Sequence, residues 1–158
     1  MAKFQTNSRN ATSPAQTSLT TTYKTMVELA SAATGRGQIY ELEVGADGAP
    51  NATDCQIVYD VSRLTVTGTG VASTPNPLNP ADAASRTTCK INHTIEPTVT
   101  ANSSVMNLVL NQRASQRWIA APGSELIWPN TSANGLVSRA LSPTYAAPVL
   151  ITALYDDL

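Results

Sequence analysis

The stretch that decides the fold is residues 55–67, which read CQIVYDVSRLTVT. Apolar residues occupy alternate positions in both halves of it, but on opposite parities: Ile57, Tyr59 and Val61, then Leu64 and Val66. A period of two is typical of a β-strand that turns one face towards a core. We therefore predict one long strand with a bulge or bend near Ser62 and Arg63, where the parity changes.

Alternating or continuous apolar runs recur on both sides of this strand. They cover residues 23–29, 39–44, 87–100, 105–110, 117–119, 125–128, 136–141 and 147–155. In residues 39–44 we expect Tyr40, Leu42 and Val44 to face inwards, and in residues 87–100 we expect Cys89, Ile91 and Ile95 to share a face. Residues 105–110 are apolar on both parities, which predicts a strand covered on both faces.

Turn residues separate these runs, and three prolines between Pro75 and Pro80 exclude a central strand there. Eight or nine short strands with hardly any helix predict an all-β fold, a jelly-roll-like antiparallel β-sandwich. We expect one sandwich domain over residues 22–158. Residues 1–21 are rich in Ser, Thr, Asn and Gln, so we expect a flexible or extended N-terminal arm, either free or ordered against a neighbouring subunit.

The composition argues against several classes of protein. The 158 residues include 10 Lys and Arg and 11 Asp and Glu, so the net charge is −1 and only 13% of residues are charged. A nucleic-acid binder needs a basic excess, and a coiled coil needs many more charged helix formers. Leu, Ile, Val and Phe are few, so we expect a lean core that partner molecules help to stabilise.

The compartment signals are weak. We find no apolar run that predicts a signal peptide or a membrane span, and we expect no membrane partner. Cys55 and Cys89 are the two cysteines. A disulfide is open to them, but without a secretory signal two ordinary thiols are the preferred interpretation. Five Asn-x-Ser/Thr sequences, at Asn10, Asn51, Asn92, Asn102 and Asn130, are attributed to composition.

No group of residues predicts catalysis or metal binding. His93 is the single histidine and has no nucleophile motif beside it. Two carboxylates for glycoside hydrolysis could come from Glu41, Glu43, Asp54, Asp60 or Glu125, but no spacing selects a pair. Asp156 and Asp157 could join a calcium site, although a solvated chain end is the preferred interpretation. We expect no catalytic residue, no metal and no cofactor, and no phosphate loop at the glycine pairs 35/37 and 68/70.

Arg113 and Arg117 lie close to Trp118 in the sequence. An Arg side chain stacked on the indole would suit an interface, because both residue types are enriched there. The alternative, equally open at this stage, is a strand whose Trp caps the core. Trp128 follows in the next strand and could belong to the same cluster.

Several segments together resemble a known family. The most specific are Thr74–Asp82, which reads TPNPLNPAD, and Ala121–Leu126, which reads APGSEL. Further segments, in chain order, are residues 22–25, 36–42, 45–50, 63–65 with 68–70, 110–114, 118–120 and 134–135. Over about residues 20 to 155 the chain resembles small virion structural proteins of tailed bacteriophages, of the capsid decoration or cement type.

The resemblance implies a β-rich, non-enzymatic protein on the outside of an icosahedral head. It implies two partners: the major capsid protein, and further copies of the chain, with which it would form a homotrimer. No nucleic-acid partner is expected. It also implies synthesis in the host bacterial cytoplasm and residence on the virion. The resemblance carries over no contact residue, so the interface set is inferred from residue type: Phe4, Arg9, Tyr23, Pro75, Pro77, Leu78, Arg113, Arg117, Trp118 and Trp128.

Two other functions stay open at this stage. One is a carbohydrate- or receptor-binding β-sandwich of a virion fibre, which would bind glycans through exposed aromatic residues such as Trp118 or Trp128. The other is a glycoside-active β enzyme that uses two of the acidic residues, with Glu125 as an example.

Overall fold

The computed structural model describes residues 2–9, 16–32 and 34–158, and this part of the chain contains twelve β-strands and no helix. In chain order the strands are β1 (Ala2–Asn7), β2 (Lys24–Ala30), β3 (Gly37–Ala46), β4 (Gln56–Val66), β5 (Thr69–Ser73), β6 (Asn76–Pro77), β7 (Thr88–Ile95), β8 (Thr98–Asn111), β9 (Ser115–Ile119), β10 (Leu126–Trp128), β11 (Gly135–Leu141) and β12 (Val149–Asp157).

The strands form two antiparallel sheets that pack face to face. The first sheet has the order β10-β3-β12-β1-β6, with β9 also paired to β3, and the second has the order β5-β7-β2-β11-β4-β8. The pairing is nested along the chain: β1 pairs with β12, β2 with β11, β3 with β9 and β10, and β4 with β8. This wrapped double ribbon is the jelly roll, so the predicted all-β, jelly-roll-like sandwich is confirmed.

The core lies between the two sheets. Large side chains that are less than 2% exposed fill it, among them Phe4, Ile39, Leu42, Ile57, Ile91, Trp128, Tyr145 and Tyr155. The Tyr155 ring stacks on Phe4 at 5.5 Å between centroids and meets the edge of Trp128 at 5.7 Å. Gly37 makes room for that indole, because a Cβ there would come within 2.1 Å of Trp128 Cζ2.

The expected boundary between an arm and a domain at residue 21 is wrong for the described residues. β1 pairs along its whole length with β12, and on its other side with β6. Phe4 is 1% exposed and Leu19 is 2% exposed, so both belong to the core. The polar composition of this segment misled the prediction, because one buried aromatic residue on a paired strand is enough to anchor it. Residues 10–15, also part of the expected arm, lie outside the described residues.

A β-bulge in β3 changes which side chains face the core. Tyr40 is an extra residue opposite β12, where Glu41 pairs with Leu154 and Ile39 pairs with Tyr155. Ile39 and Leu42 are consequently buried while Tyr40 is only half-buried, so the predicted inward Tyr40 is wrong. The irregularity predicted near Ser62 and Arg63 lies in the pairing of β4 with β8, whose register shifts at Val61/Ser62 and again before Leu64. Against β11, β4 keeps an unbroken register from Val58 to Leu64.

β8 is an edge strand, which corrects the prediction that residues 105–110 are covered on both faces. Its only described partner is β4. Leu108 pairs opposite the core residue Tyr59 and is half-buried, whereas Val109 points to the other face and is 55% exposed. Ile95, predicted to share the core face with Ile91, is 64% exposed at the end of β7.

Candidate interaction surface

His93 is buried in an ion-pair cluster and not beside a nucleophile. Its Nε2 lies 3.0 Å from Oε2 of Glu28, whose side chain is 1% exposed. The backbone N–H of Gly68 donates to the same oxygen at 2.8 Å, and Lys90 Nζ lies 3.8 Å from the other oxygen. Gly68 packs directly on the imidazole, since a Cβ there would lie 2.7 Å from His93 Cδ2. Through Gly68, these contacts hold the segment that follows β4 against Glu28 of β2 and His93 of β7.

Asp60 is the centre of a second buried network. Arg139 Nε donates to Asp60 Oδ2 at 2.6 Å, and the hydroxyls of Ser62 and Ser104 also donate to this carboxylate. The Arg139 guanidinium lies over the Tyr23 ring, 4.2 Å from its centroid. An open groove of about 360 Å³ runs beside this network. Arg139 thus covers one face of the Tyr23 ring and neutralises Asp60.

Two of the other acidic candidates form exposed ion pairs. Arg117 donates to both oxygens of Glu41, at 2.5 and 3.0 Å, and this hydrogen-bonded pair lowers the pKa of Glu41. Hydrogen bonds from Arg113 and Gln112 likewise lower the pKa of Asp54. A glycosidase general acid needs a raised pKa, whereas the surroundings of Glu41 and Asp54 lower the pKa of each carboxyl group.

The two C-terminal aspartates are buried and not solvated, contrary to expectation. The hydroxyls of Ser85 and Thr87 and the backbone N–H of Arg86 donate to Asp157, while Gln38 donates to Asp156. These bonds fix the chain end to the segment before β7. Within the residues that the structure describes, no three His, Cys, Asp or Glu side chains come together as metal ligands.

Both cysteines are free thiols, in agreement with the preferred interpretation. Cys89 is 3% exposed, and its sulfur lies 3.0 Å from the Thr6 hydroxyl. Burial raises the pKa of Cys89 to about 12. Cys55 is half-buried and donates to Gln112 Oε1 at 3.3 Å. Cys89 therefore lacks the electropositive surroundings that activate a nucleophilic cysteine.

The cavity between the sheets is too small for a ligand. It measures about 10 Å³ and is lined by residues that include Leu42, Tyr59 and Ile151. That is the size of a single water molecule.

The structure separates the expected interface residues into two groups. Phe4, Pro75 and Trp128 are buried within the domain itself, so their side chains are not presented at the surface of this chain. The others reach the surface in part or in full: Arg9, Tyr23, Pro77, Leu78, Arg113, Arg117 and Trp118. Because Trp128 is fully buried, it also cannot serve as the glycan platform that the alternative function required.

The expected stacking of arginine on Trp118 is also not observed. Arg113 pairs with Asp54 and Arg117 pairs with Glu41, so both guanidinium groups are engaged by carboxylates. The cation–π contacts of the described residues are Lys3 over Tyr40 and Arg139 over Tyr23. Trp118 lies opposite Leu42 and packs half-buried against the core, as the capping interpretation predicts.

The surface of interest is the side of the sandwich where β8 and β9 form the edges of the two sheets. We call it the β8–β9 side and define it by Met106, Leu108, Val109, Leu110, Trp118 and Ile119. Four of these, Met106, Leu108, Leu110 and Trp118, pack half-buried against the core. The other two, Val109 and Ile119, are 55% and 58% exposed. Val109 and Ile119 point away from the core on the outer faces of the two sheets, and the core itself is only partly covered here, by the four half-buried side chains.

A second apolar surface lies on the opposite side, where β5 and β6 form the edges. We call it the β5–β6 side and define it by Val71 and Leu78, which are 41% and 50% exposed. Residue type pointed to Leu78 and Trp118, but it missed β8. The sequence of β8 does not show that it is an edge strand, because that position depends on which distant strands pair with each other.

Comparison with known proteins gives no relative. No family model, no curated protein and no solved structure matches the chain. The described residues include no helix of the length and apolarity that crossing a membrane requires.

Proposed function

We propose that this chain is a non-enzymatic virion structural protein that decorates the icosahedral head of a tailed bacteriophage. In this proposal it is made in the bacterial cytoplasm and binds across major capsid protein subunits on the exterior, as a homotrimer. The observation that carries the proposal is where polar and apolar groups lie. The buried carboxylates of Glu28, Asp60 and Asp157 are held inside the domain, while apolar side chains lie open on two sides.

The low charge supports the same function, and the fold is compatible with it. Only 13% of residues are charged, and a surface with few charges can pack densely against a shell without like-charge repulsion. The jelly roll is a fold of many viral capsid and lectin domains, so on its own it favours a virion role no more than sugar binding.

The resemblance to capsid decoration proteins is the reason for proposing the outer surface of the head as the place where this protein acts. Its two most specific segments, residues 74–82 and 121–126, lie mostly on the surface, where a decoration protein makes its contacts. Binding at many equivalent positions would stabilise both the shell and this lean domain by mass action.

The test is binding to heads of the phage whose genome encodes the chain. Quantitative mass spectrometry of purified virions should find the chain in many copies per particle. Heads that lack it should bind purified protein saturably in co-sedimentation. Absence from virions together with no binding to heads would overturn the proposal. Binding to a glycan array without binding to heads would instead favour the receptor-binding alternative.

A further inference from the structure

We infer that the open groove beside the Asp60 network, which we call the Asp60 groove, is a binding site for a neutral oligosaccharide. The groove measures about 360 Å³, and its lining combines Tyr23, Asp60 and Arg139 with residues 99–104 and Asn107 of β8. That volume lies within the range of clefts that bind small molecules. The inference goes beyond the proposed function, which assigns only contacts with capsid subunits.

A row of three polar side chains crosses the second sheet at this groove. Asp60 of β4 pairs opposite Asn107 of β8 on one side and opposite Arg139 of β11 on the other. The row lies on the face turned away from the core, because Tyr59, the neighbour of Asp60, is a core residue. The Asp60 side chain is 2% exposed and accepts hydrogen bonds from Arg139 and Ser104, which fix its position. These polar groups are therefore ordered before a ligand arrives, which lowers the cost of binding.

An enlarged β-bulge in β8 supplies another part of the lining. In the register of β8 against β4, residues 100–103 lie opposite a single residue, Arg63. Asn102 in this bulge has a φ of 57°, in the left-handed region that residues other than glycine rarely adopt. The Ser103 hydroxyl accepts from the Arg63 backbone N–H at 3.1 Å and donates to Arg63 O at 3.3 Å, which holds the bulge in place. Bulges and strained residues of this kind concentrate at functional sites, where they redirect side chains.

The charge of the groove favours a neutral ligand. Its lining contains one cation, Arg139, and one carboxylate, Asp60, and these two groups form an ion pair at 2.6 Å. An anion at this site would meet the Asp60 carboxylate, and a cation would meet the Arg139 guanidinium. Like charges in contact are unfavourable, so an uncharged ligand fits best.

The remaining groups of the lining favour a ligand rich in hydroxyls. Exposed side chains of β8 supply a hydroxyl and two amides, from Thr100, Asn102 and Asn107. Hydroxyls and amides both donate and accept hydrogen bonds, as the hydroxyls of a sugar do. A lipid or an apolar peptide would displace water from these groups without replacing its hydrogen bonds, which is costly.

Tyr23 adds the apolar surface that a sugar ring also needs. Its ring is half-buried, and the Arg139 guanidinium lies over one face of it, 4.2 Å from the centroid. A tyrosine held in this way offers a rigid contact surface for the C–H groups of a sugar and loses little conformational entropy on binding. The groove is open to solvent, so it suits a chain of sugar rings and not a single enclosed molecule.

The test is binding of the full chain to an array that displays neutral and acidic oligosaccharides, followed by calorimetric titration with the strongest neutral ligand. We expect saturable binding to a neutral oligosaccharide. Asn102→Gly removes the amide but keeps a residue that tolerates the positive φ, and Tyr23→Ala removes the ring. Each should weaken binding about tenfold. Asn130→Gly, the same change at an exposed asparagine after β10, is the matched control and should bind as the wild type does.

Circular dichroism and thermal melting check that each variant is folded, and Asn107→Ala replaces Tyr23→Ala if that variant is not. Absence of binding to every neutral oligosaccharide, a preference for acidic ones, or binding that the groove variants retain would overturn the inference. Phage heads that lack the chain should bind Asn102→Gly as well as they bind the wild type. A loss of head binding in this variant would assign the groove to the capsid contact and would also overturn the inference. Failure of the sugar site and failure of the proposed function are therefore separate results.

Discussion

Phe4 shows how one side chain can place a polar segment inside a fold. It is 1% exposed and stacks on Tyr155 from the neighbouring strand. Phe4→Ala should lower the free energy of unfolding by about 3–5 kcal/mol, because it leaves a cavity in the core. Urea unfolding measures this, with Ile95→Ala at a 64% exposed position as the control that should change little. A Phe4→Ala loss as small as that of the control would contradict the placement of β1.

The Asp60 network gives a second prediction at a single side chain. Arg139→Met leaves a carboxylate that is 2% exposed without its cation, and breaking such a buried pair costs about 3 kcal/mol or more. Asp60→Asn together with Arg139→Met should cost less than the sum of the single substitutions, since the unpaired charge is then gone. A double-mutant cycle in urea measures the difference. Strict additivity would contradict an energetic coupling between the two residues.

The thiols give a prediction that depends on pH. The thiolate is the reactive form, and burial raises the pKa of Cys89 to about 12. Near pH 8, Cys89 in the folded protein should therefore resist a thiol reagent, and its reactivity should rise only as the pH approaches that value. Peptide mapping after labelling reports which cysteine reacts, and labelling in denaturant is the control, where both should react. Rapid labelling of Cys89 in the folded protein at pH 8 would show that it is not buried.

β1 gives the prediction at the scale of an element. Removing residues 1–9 uncovers the edge of β12, exposes Tyr155 and removes the Thr6 contact of Cys89. We expect the shortened chain to lose cooperative thermal unfolding and to bind a hydrophobic dye. Arg9→Ala removes only the exposed ion pair with Asp47 and should leave the melting curve nearly unchanged. An unaltered melting temperature after the deletion would mean that the segment is an appendage after all.

The strands themselves were predictable, whereas the environment of each strand was not. The alternation of Val149, Ile151, Ala153 and Tyr155 predicted a strand, and all four residues are at most 1% exposed. Alternation fails where a bulge inserts one residue, as at Tyr40, because the bulge depends on the partner strand. The apolar character of residues 105–110 is the same for a buried central strand and for an open edge. Only the order of strands in the sheet distinguishes the two.

The candidate surface was partly predictable for the same reason. Leu78 was selected by residue type, and the proline-containing segment around it does lie mostly on the surface. Trp128 was selected as an aromatic residue near arginines, but the space above Gly37 receives its ring and buries it. Local sequence does not reveal whether an aromatic residue fills a core or an interface, since the same area burial stabilises both.

At the scale of the whole molecule, the domain combines a complete jelly roll with an open rim. The buried carboxylates of Glu28 and Asp60 have cationic partners within the chain, while several large apolar side chains lie exposed at the sheet edges. That distribution suits a protein that acts by covering area on other subunits.

The most direct test of this account is a cryo-electron map of intact particles of the phage that encodes the chain. We predict a jelly-roll density on the outer surface of the head, across the junctions of major capsid subunits. A bare outer surface in particles that contain the chain, or its density confined to the tail, would contradict the central claim.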